Sequence, residues 1–335
     1  TLTTGGAGTV YVNAVRDIDS DAVITTANGD ILESAGRDIR QTALITSTNG
    51  DIGLVAAQNI TQTATGDITT TNGDVLVKAI AGNLTMDGDA TITAGGGDVL
   101  ALAGNNIVLG MVTMTNAAAN RVALEATGGS ITDANGAAIN IQETVATSTT
   151  SVSLRAGTMI GGAGGTTSSV NNQAIDLNVD TVAARTTSVI LPTGIYLREV
   201  GAGGAIEVNT AAAVTVTIDG VVRSDFDSST TSVAQGDTRA SLEDLTTTTN
   251  GPIKLVAENG TVTINGGADG IGVTANGTGD VLLEARGAAS DVIVNASVQS
   301  GTGHLTVNAG RDADINATLT TGGAGTVYVN AVRDI

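Results

Sequence analysis

The stretch GDVLVKAIAGNLTMDGDATITAGGGDVLALAGNNIVLG, residues 73–110, decides the fold. It begins on GDVLVKA and, 24 residues later, begins again on GDVLALA. Each time a corner glycine and an aspartate lead into a short apolar strand, an alanine and a Gly/Asn turn follow, and an apolar residue (Leu84, Ile107) starts the chain again. A Thr-rich strand, TITAGG from Thr91, completes the segment. Alternation with period two buries one face of a strand, so Val75 and Val77, or Leu100 and Leu102, are expected to point inward.

The same phrase recurs on both sides of this stretch. It reads GTVYVNAVRDI from Gly8, GDILESAGRDI from Gly29 and GDIGLVAAQNI from Gly50, so that five successive copies start 21, 21, 23 and 24 residues apart. Further copies start at Asn120, Ser151, Gly251, Gly279, Gly303 and Gly325. A segment this short leaves unpaired N–H and C=O groups on both edges of each strand and cannot close a core alone. Stacking supplies the missing partners: each segment becomes one coil, paired in parallel with its neighbours at about 4.8 Å. The predicted architecture is therefore all-β, a parallel β-helix or β-solenoid with three short strands per coil. Eight Asn-Gly pairs, Asn28-Gly29, Asn49-Gly50 and Asn72-Gly73 among them, are expected to supply positive φ at the corners.

A longer period encloses the short one. TLTTGGAGTVYVNAVRDI is both residues 1–18 and residues 318–335, an offset of 318 − 1 = 317. The reading is one full period of a tandem array plus the start of the next, with about 14 coils of roughly 21–24 residues per period. Four segments follow: regular coils over 1–157, irregular coils with extruded loops over 158–250, regular coils over 251–317, and the next period from 318 to 335. Within the irregular part, AVTVTIDGVV from Ala213 is strand-like, whereas 161–173 and 224–237 read as loops, the places where a solenoid varies for binding.

Composition agrees with a narrow core. Of 335 residues only Tyr11, Tyr196, Phe226 and Tyr328 are aromatic, so Val, Ile, Leu and Ala must fill the interior. The 45 glycines and two prolines suit many tight turns between short strands. Thirty-three acidic against 14 basic residues, net −19, repel nucleic acid and anionic membrane alike. With no cysteine there are no disulfides or thiolate metal sites, and no apolar run is long enough for a helix to insert in a bilayer.

Reactive constellations are sparse, and no residue is assigned a catalytic, cofactor-binding or metal-ligating role. His304 stands where sister coils have aspartate, a substituted turn residue without a partner for a triad or a metal site. Asp30, Asp51, Asp74, Asp98 and Asp280 follow the corner glycines and would form a carboxylate column, interrupted by Thr9, Arg121, Pro252, His304 and Thr326. Calcium could relieve the repulsion in such a column, but capping of solvated turns is the expectation, since the tandem calcium nonapeptide is absent. No cofactor is assigned. Thr3, Thr25, Thr46, Thr69 and Thr93 are expected to form an outward ladder; a solvated strand face is preferred to ice binding because coil lengths are unequal.

Phrases of the kind quoted at the outset resemble the filamentous-haemagglutinin-type large exoproteins of bacteria, over residues 1 to about 157 and 251–335. The resemblance implies a right-handed parallel β-helix, export, and a place at the bacterial cell surface. The expected function is a structural repeat module of a giant extracellular fibre or adhesin stalk, stacked end to end for surface attachment, cell–cell contact or biofilm cohesion. Its partners would be neighbouring copies of the repeat and host or bacterial surface glycans. The alternative is a polysaccharide-active or glycan-binding β-helix protein, which would need basic and acidic groups clustered on neighbouring coils; Lys78 and Lys254, the two lysines, are far apart in sequence. A non-enzymatic role is therefore expected.

Overall fold

The fold is taken from a computed structural model of the 335-residue chain, in which residues 1–116, 119–146, 149–162, 173–190, 193–202 and 204–335 are described. Among the described residues every regular element is a β-strand. The chain divides into two compact units. Unit 1 comprises Thr1–Thr127, Glu143–Ser148 and Ala213–Ala240, and unit 2 comprises Gly128–Gln142, Thr149–Ala212 and Ser241–Ile335.

Unit 1 is a parallel β-solenoid whose coils each hold one long strand and two shorter ones. The long strands Val10–Ala14, Ile31–Ala35, Ile52–Ala56, Val75–Ala79, Val99–Ala103 and Arg121–Ala126 pair in parallel, each upon the last. Their register generates inward ladders, one of them Val10, Ile31, Ile52, Val75, Val99 and Val122 and another the alanines 14, 35, 56, 79, 103 and 126. A short-strand column adds Ile18, Ile39, Ile60, Leu84 and Ile107, and the other adds Ile24, Ile45, Ile68, Ile92 and Val112. Apart from the half-buried Ala14, these side chains are buried, and each Val, Ile or Leu so removed from water contributes about 1.5–3 kcal/mol. The stacked, parallel arrangement is the predicted one.

Two local expectations are corrected. Leu100 and Leu102 do not share a face with Val75 and Val77: the register sets Leu76 beside Leu100 and Lys78 beside Leu102, whereas Val75 and Val77 meet Val99 and Ala101. The leucines are buried on the outer face, beneath a covering element described below. Positive φ, moreover, is absent at Gly29, Gly50 and Gly73, although Gly136, Gly266 and Gly277 of other Asn-Gly pairs adopt it. The corner glycines are required by close approach: a Cβ on Gly50 would lie 2.1 Å from the carbonyl oxygen of Gly29, and one on Gly73 would lie 2.2 Å from that of Gly50.

The covering element is an antiparallel hairpin, Val214–Ser224 with Thr230–Arg239. Residues 224–237, read from sequence as a loop, thus hold the hairpin turn and most of its second strand. The loop reading for 161–173 falls largely on residues 163–172, outside the described residues. In the first hairpin strand Val214, Val216, Ile218 and Val221 are buried, while Thr215, Thr217 and Asp219 face solvent. The buried set packs on Leu32, Val55, Leu76, Leu100, Leu102 and Ala123 of the long-strand sheet.

Unit 2 is also a parallel solenoid, but its strand pattern changes partway. The long strands Ser151–Ala156 and Thr181–Thr186 pair in register from Ser151↔Thr181 to Ala156↔Thr186. Only seven residues then separate Thr186 from a second long strand, Gly194–Glu199. This strand lies on two short ones at once, Met159–Ile160 and Ile175–Asn178. Conversely, Thr181–Thr186 receives two short strands, Ile206–Val208 and Leu245–Thr247. From there on the long strands Ile253–Ala257, Val281–Ala285, Leu305–Ala309 and Val327–Ala331 continue on Gly194–Glu199. One long column has split into two short ones, and two short columns have merged into one long one.

The described strands make about 13 turns in all, against the 14 expected. Successive long strands start 30 residues apart from Arg121 to Ser151 and from Ser151 to Thr181, wider than the expected 21–24, and the hairpin residues lie outside the coil.

Candidate functional site

The polar corners of the coils form the first candidate. Asp51 N–H donates to Asp30 Oδ1 (2.9 Å), Asp74 N–H to Asp51 Oδ1 and Asp98 N–H to Asp74 Oδ1 (2.7 Å each), and Arg121 N–H to Asp98 Oδ1 (3.0 Å). Each carboxylate therefore caps the backbone of the next coil, and Arg121 closes the column with an ion pair to Asp98 at 2.5 Å. Burial, then the neighbouring carboxylates, pushes Asp51 up to about 6; burial likewise raises Asp74. In unit 2 His304 N–H donates to Asp280 Oδ1 (2.7 Å), and its own Nδ1 accepts from Thr326 N–H at 3.2 Å. The histidine thus occupies an aspartate's place and supplies a ring nitrogen as acceptor.

A second ladder, not anticipated from sequence, runs through asparagines. Asn59 N–H donates to Asp38 Oδ1 (3.0 Å), Asn83 N–H to Asn59 Oδ1 (3.0 Å) and Asn106 N–H to Asn83 Oδ1 (3.1 Å). Its signal was present in the recurring RDI, QNI, GNL and NNI of the phrase ends. The threonine ladder is in register as expected, Thr3, Thr25, Thr46, Thr69 and Thr93 lying side by side. The next residue in each strand turns inward: Thr26, Ser47 and Thr70 are buried, and Thr70 Oγ1 accepts Gly73 N–H (3.0 Å) while donating to Gly50 O (3.1 Å).

Inside unit 1 the long-strand ladder Val12, Glu33, Leu54, Val77 contains one carboxyl. Glu33 is fully buried; Ser20 Oγ donates to its Oε1 at 2.8 Å, and Oε2 has no partner. Desolvation lifts its pKa to about 7. In unit 2, at the column exchange, the buried Arg198 guanidinium grips Asp176 through two hydrogen bonds, Nε to Oδ1 at 2.8 Å. Buried Glu199 accepts Gly201 N–H (2.9 Å) and Val179 N–H (3.2 Å).

The hairpin is pinned by charge as well as by packing. Lys78 Nζ meets Asp237 Oδ2 at 2.7 Å, Arg239 pairs with Glu125, and Gly220 N–H donates to Asp30 Oδ2 (3.0 Å). One of the two lysines is thereby committed to holding the hairpin. At the turn Phe226 is fully exposed between Asp225 and Asp227. In unit 2 Glu243, Asp244 and Asp269 bring carboxylate oxygens within 4.8 Å of one another. Each of the three also accepts a backbone N–H, from Ala268, Gly267 and Ile271 respectively, and so closes the loop beside it. None of its residues belongs to the set of corner aspartates considered for calcium.

The third feature is the coil that the repeated octadecamer forms twice. Among the described strands, Val327–Ala331 pairs only with Leu305–Ala309, and Leu319–Thr321 only with Ser297–Ser300. In unit 1 the identical residues Val10–Ala14 use their other edge, pairing with Ile31–Ala35.

No protein-family model, no curated protein and no solved structure matches the chain. No helix among the described residues is long and apolar enough to cross a membrane.

Proposed function

We propose that the chain is a structural repeat module of a giant extracellular bacterial fibre or adhesin stalk, stacking end to end with neighbouring copies as a continuous β-solenoid. The observation that carries this reading is the repeated octadecamer. Its two copies form the same strands, Leu2–Thr3 with Val10–Ala14 and Leu319–Thr321 with Val327–Ala331, and between them they use both edges of one coil. A sheet built this way has a partner for every backbone group along its axis and resists bending and proteolysis.

Placement at the cell surface, with roles in attachment, cell–cell contact or biofilm cohesion and with glycans as ligands, rests on the resemblance of the coils to bacterial exoproteins. The acidic surface supports it, because a charge of −19 per chain keeps parallel fibres apart. Antibodies raised against the hairpin turn, residues 225–229, test it on the source cells. Labelled threads outside intact cells are expected; labelling that requires permeabilised cells would overturn the extracellular reading.

A further inference from the structure

The two lysines of the chain sit in unlike surroundings. Lys78 is spent on Asp237 of the hairpin, at 2.7 Å. Lys254 stands in unit 2, on the long strand Ile253–Ala257. The register there sets Tyr196, Lys254, Leu282 and Thr306 side by side in one row, and Arg198, Val256, Glu284 and Asn308 in the next. The alternate residues, Ile253 and Leu255 among them, are buried in the core, so both rows face outward. In unit 1 the outward Leu32, Leu76 and Leu100 are buried beneath the hairpin, whereas Tyr196, Lys254, Leu282 and Thr306 are half-buried and reachable from solvent.

The carboxylates beside Lys254 are already engaged. Arg198 holds Asp176 through two hydrogen bonds. Arg286 donates to Glu258 Oε1 at 2.8 Å and to Glu284 Oε2 at 3.1 Å, and Asn308 Nδ2 donates to Glu284 Oε1 at 2.9 Å. Lys254 is left with no hydrogen bond or ion pair among the described residues. Burial, then the guanidinium of Arg286, holds its amine below the ordinary lysine range; Arg198 acts in the same direction, and Glu284 and Glu258 oppose it. More of the amine is therefore unprotonated, with its lone pair free to attack a carbonyl carbon.

We propose that Lys254 is a covalent modification site, the reactive amine of the chain, and that it takes an aldehyde as a Schiff base. The unprotonated Nζ adds to the aldehyde carbon, a proton passes from nitrogen to oxygen to give the carbinolamine, and water leaves as the C=N bond forms. Neither partner is oxidised or reduced. The remainder of the aldehyde lies along the outward row, with Tyr196 and Leu282 each one strand spacing of about 4.8 Å away. The site lies wholly within unit 2 and does not rest on the proposed function.

The test treats the full chain with propionaldehyde and sodium cyanoborohydride at pH 7, the hydride serving to trap the imine, and follows each lysine by peptide mass mapping. Lys254 is expected to be alkylated several-fold faster than Lys78, and its rate to level off at lower pH than that of an ordinary lysine. Arg286→Gln releases Glu258 and Glu284 to pair with Lys254 and should slow Lys254 toward the Lys78 rate, with Lys78 in the same sample as the internal standard. Equal rates at the two lysines of the parent chain would overturn the assignment. A Lys254 rate unchanged by Arg286→Gln would overturn the account of why its amine is free.

Discussion

Gly53 lies directly beneath Ile218: a Cβ on the glycine would come within 2.8 Å of Ile218 Cγ1 and 3.0 Å of Leu32 Cδ1. Where the neighbouring coils carry Leu32 and Leu76 at this place in the ladder, Gly53 leaves the hollow that the hairpin fills. Gly53→Val should therefore overpack the contact and cost about 1–3 kcal/mol. Hydrogen exchange is expected to quicken in Val214–Ser224 and not in the solenoid strands, and Ile218→Ala added to Gly53→Val should recover part of the loss. Unchanged exchange in the hairpin would contradict the contact.

Asp74 illustrates the corner column. Asp74→Ala leaves Asp98 N–H without its acceptor and is expected to cost roughly 1–3 kcal/mol in chemical denaturation. Asp74→Asn retains the Oδ1 acceptor and removes a charge that burial already disfavours, so its stability near pH 7 should equal or exceed that of the parent. Equal losses in both variants would mean that the charge, not the hydrogen bond, matters.

Glu33 makes unit 1 sensitive to pH. Its folded pKa of about 7 is above the unfolded value of 4.5, so the native state binds the extra proton between the two. Stability is full below about pH 4.5 and falls as pH rises toward 7, by roughly 3 kcal/mol for a shift of this size. Asp51, raised to about 6, adds a loss of the same sign across the lower part of that window. Glu33→Leu, the residue found at 54 in the same ladder, should flatten the Glu33 part of the profile and stabilise unit 1 at pH 8. Denaturation midpoints at pH 4.5 and 8 measure this.

Arg198 and Asp176 are buried together at the strand exchange. Arg198→Met strands the carboxylate and is expected to cost about 3–5 kcal/mol, whereas Arg198→Met with Asp176→Leu should recover most of it. A thermal-unfolding double-mutant cycle reads the difference. If the double variant is as unstable as the single, the pair is needed for the exchange itself and not merely for mutual neutralisation.

Much of the molecule is legible in one dimension because a parallel solenoid converts sequence period into spatial register. Residues one period apart become neighbours, so the recurrence of Val, Ile and Ala at fixed places in GDVLVKA and its relatives determined the inward ladders, and the recurring Asp determined the corner column. His304 could be read as a substituted corner for the same reason. The asparagine ladder was equally open to that reasoning and was missed because Asn at a turn has an ordinary local explanation.

What period alone could not reveal depends on contacts between distant segments. Strands such as VLALA are apolar on both faces, and alternation cannot tell which face is the core; only the hairpin from residues 214–239, more than a hundred residues later, explains why Leu100 and Leu102 point away from it. The exchange in unit 2 is hidden for a related reason. The loosened rhythm after residue 157 is visible in the sequence, but which columns a long strand bridges is settled by backbone pairing with earlier coils, and hydrogen bonding between stacked backbones is indifferent to the side chains that mark the repeat.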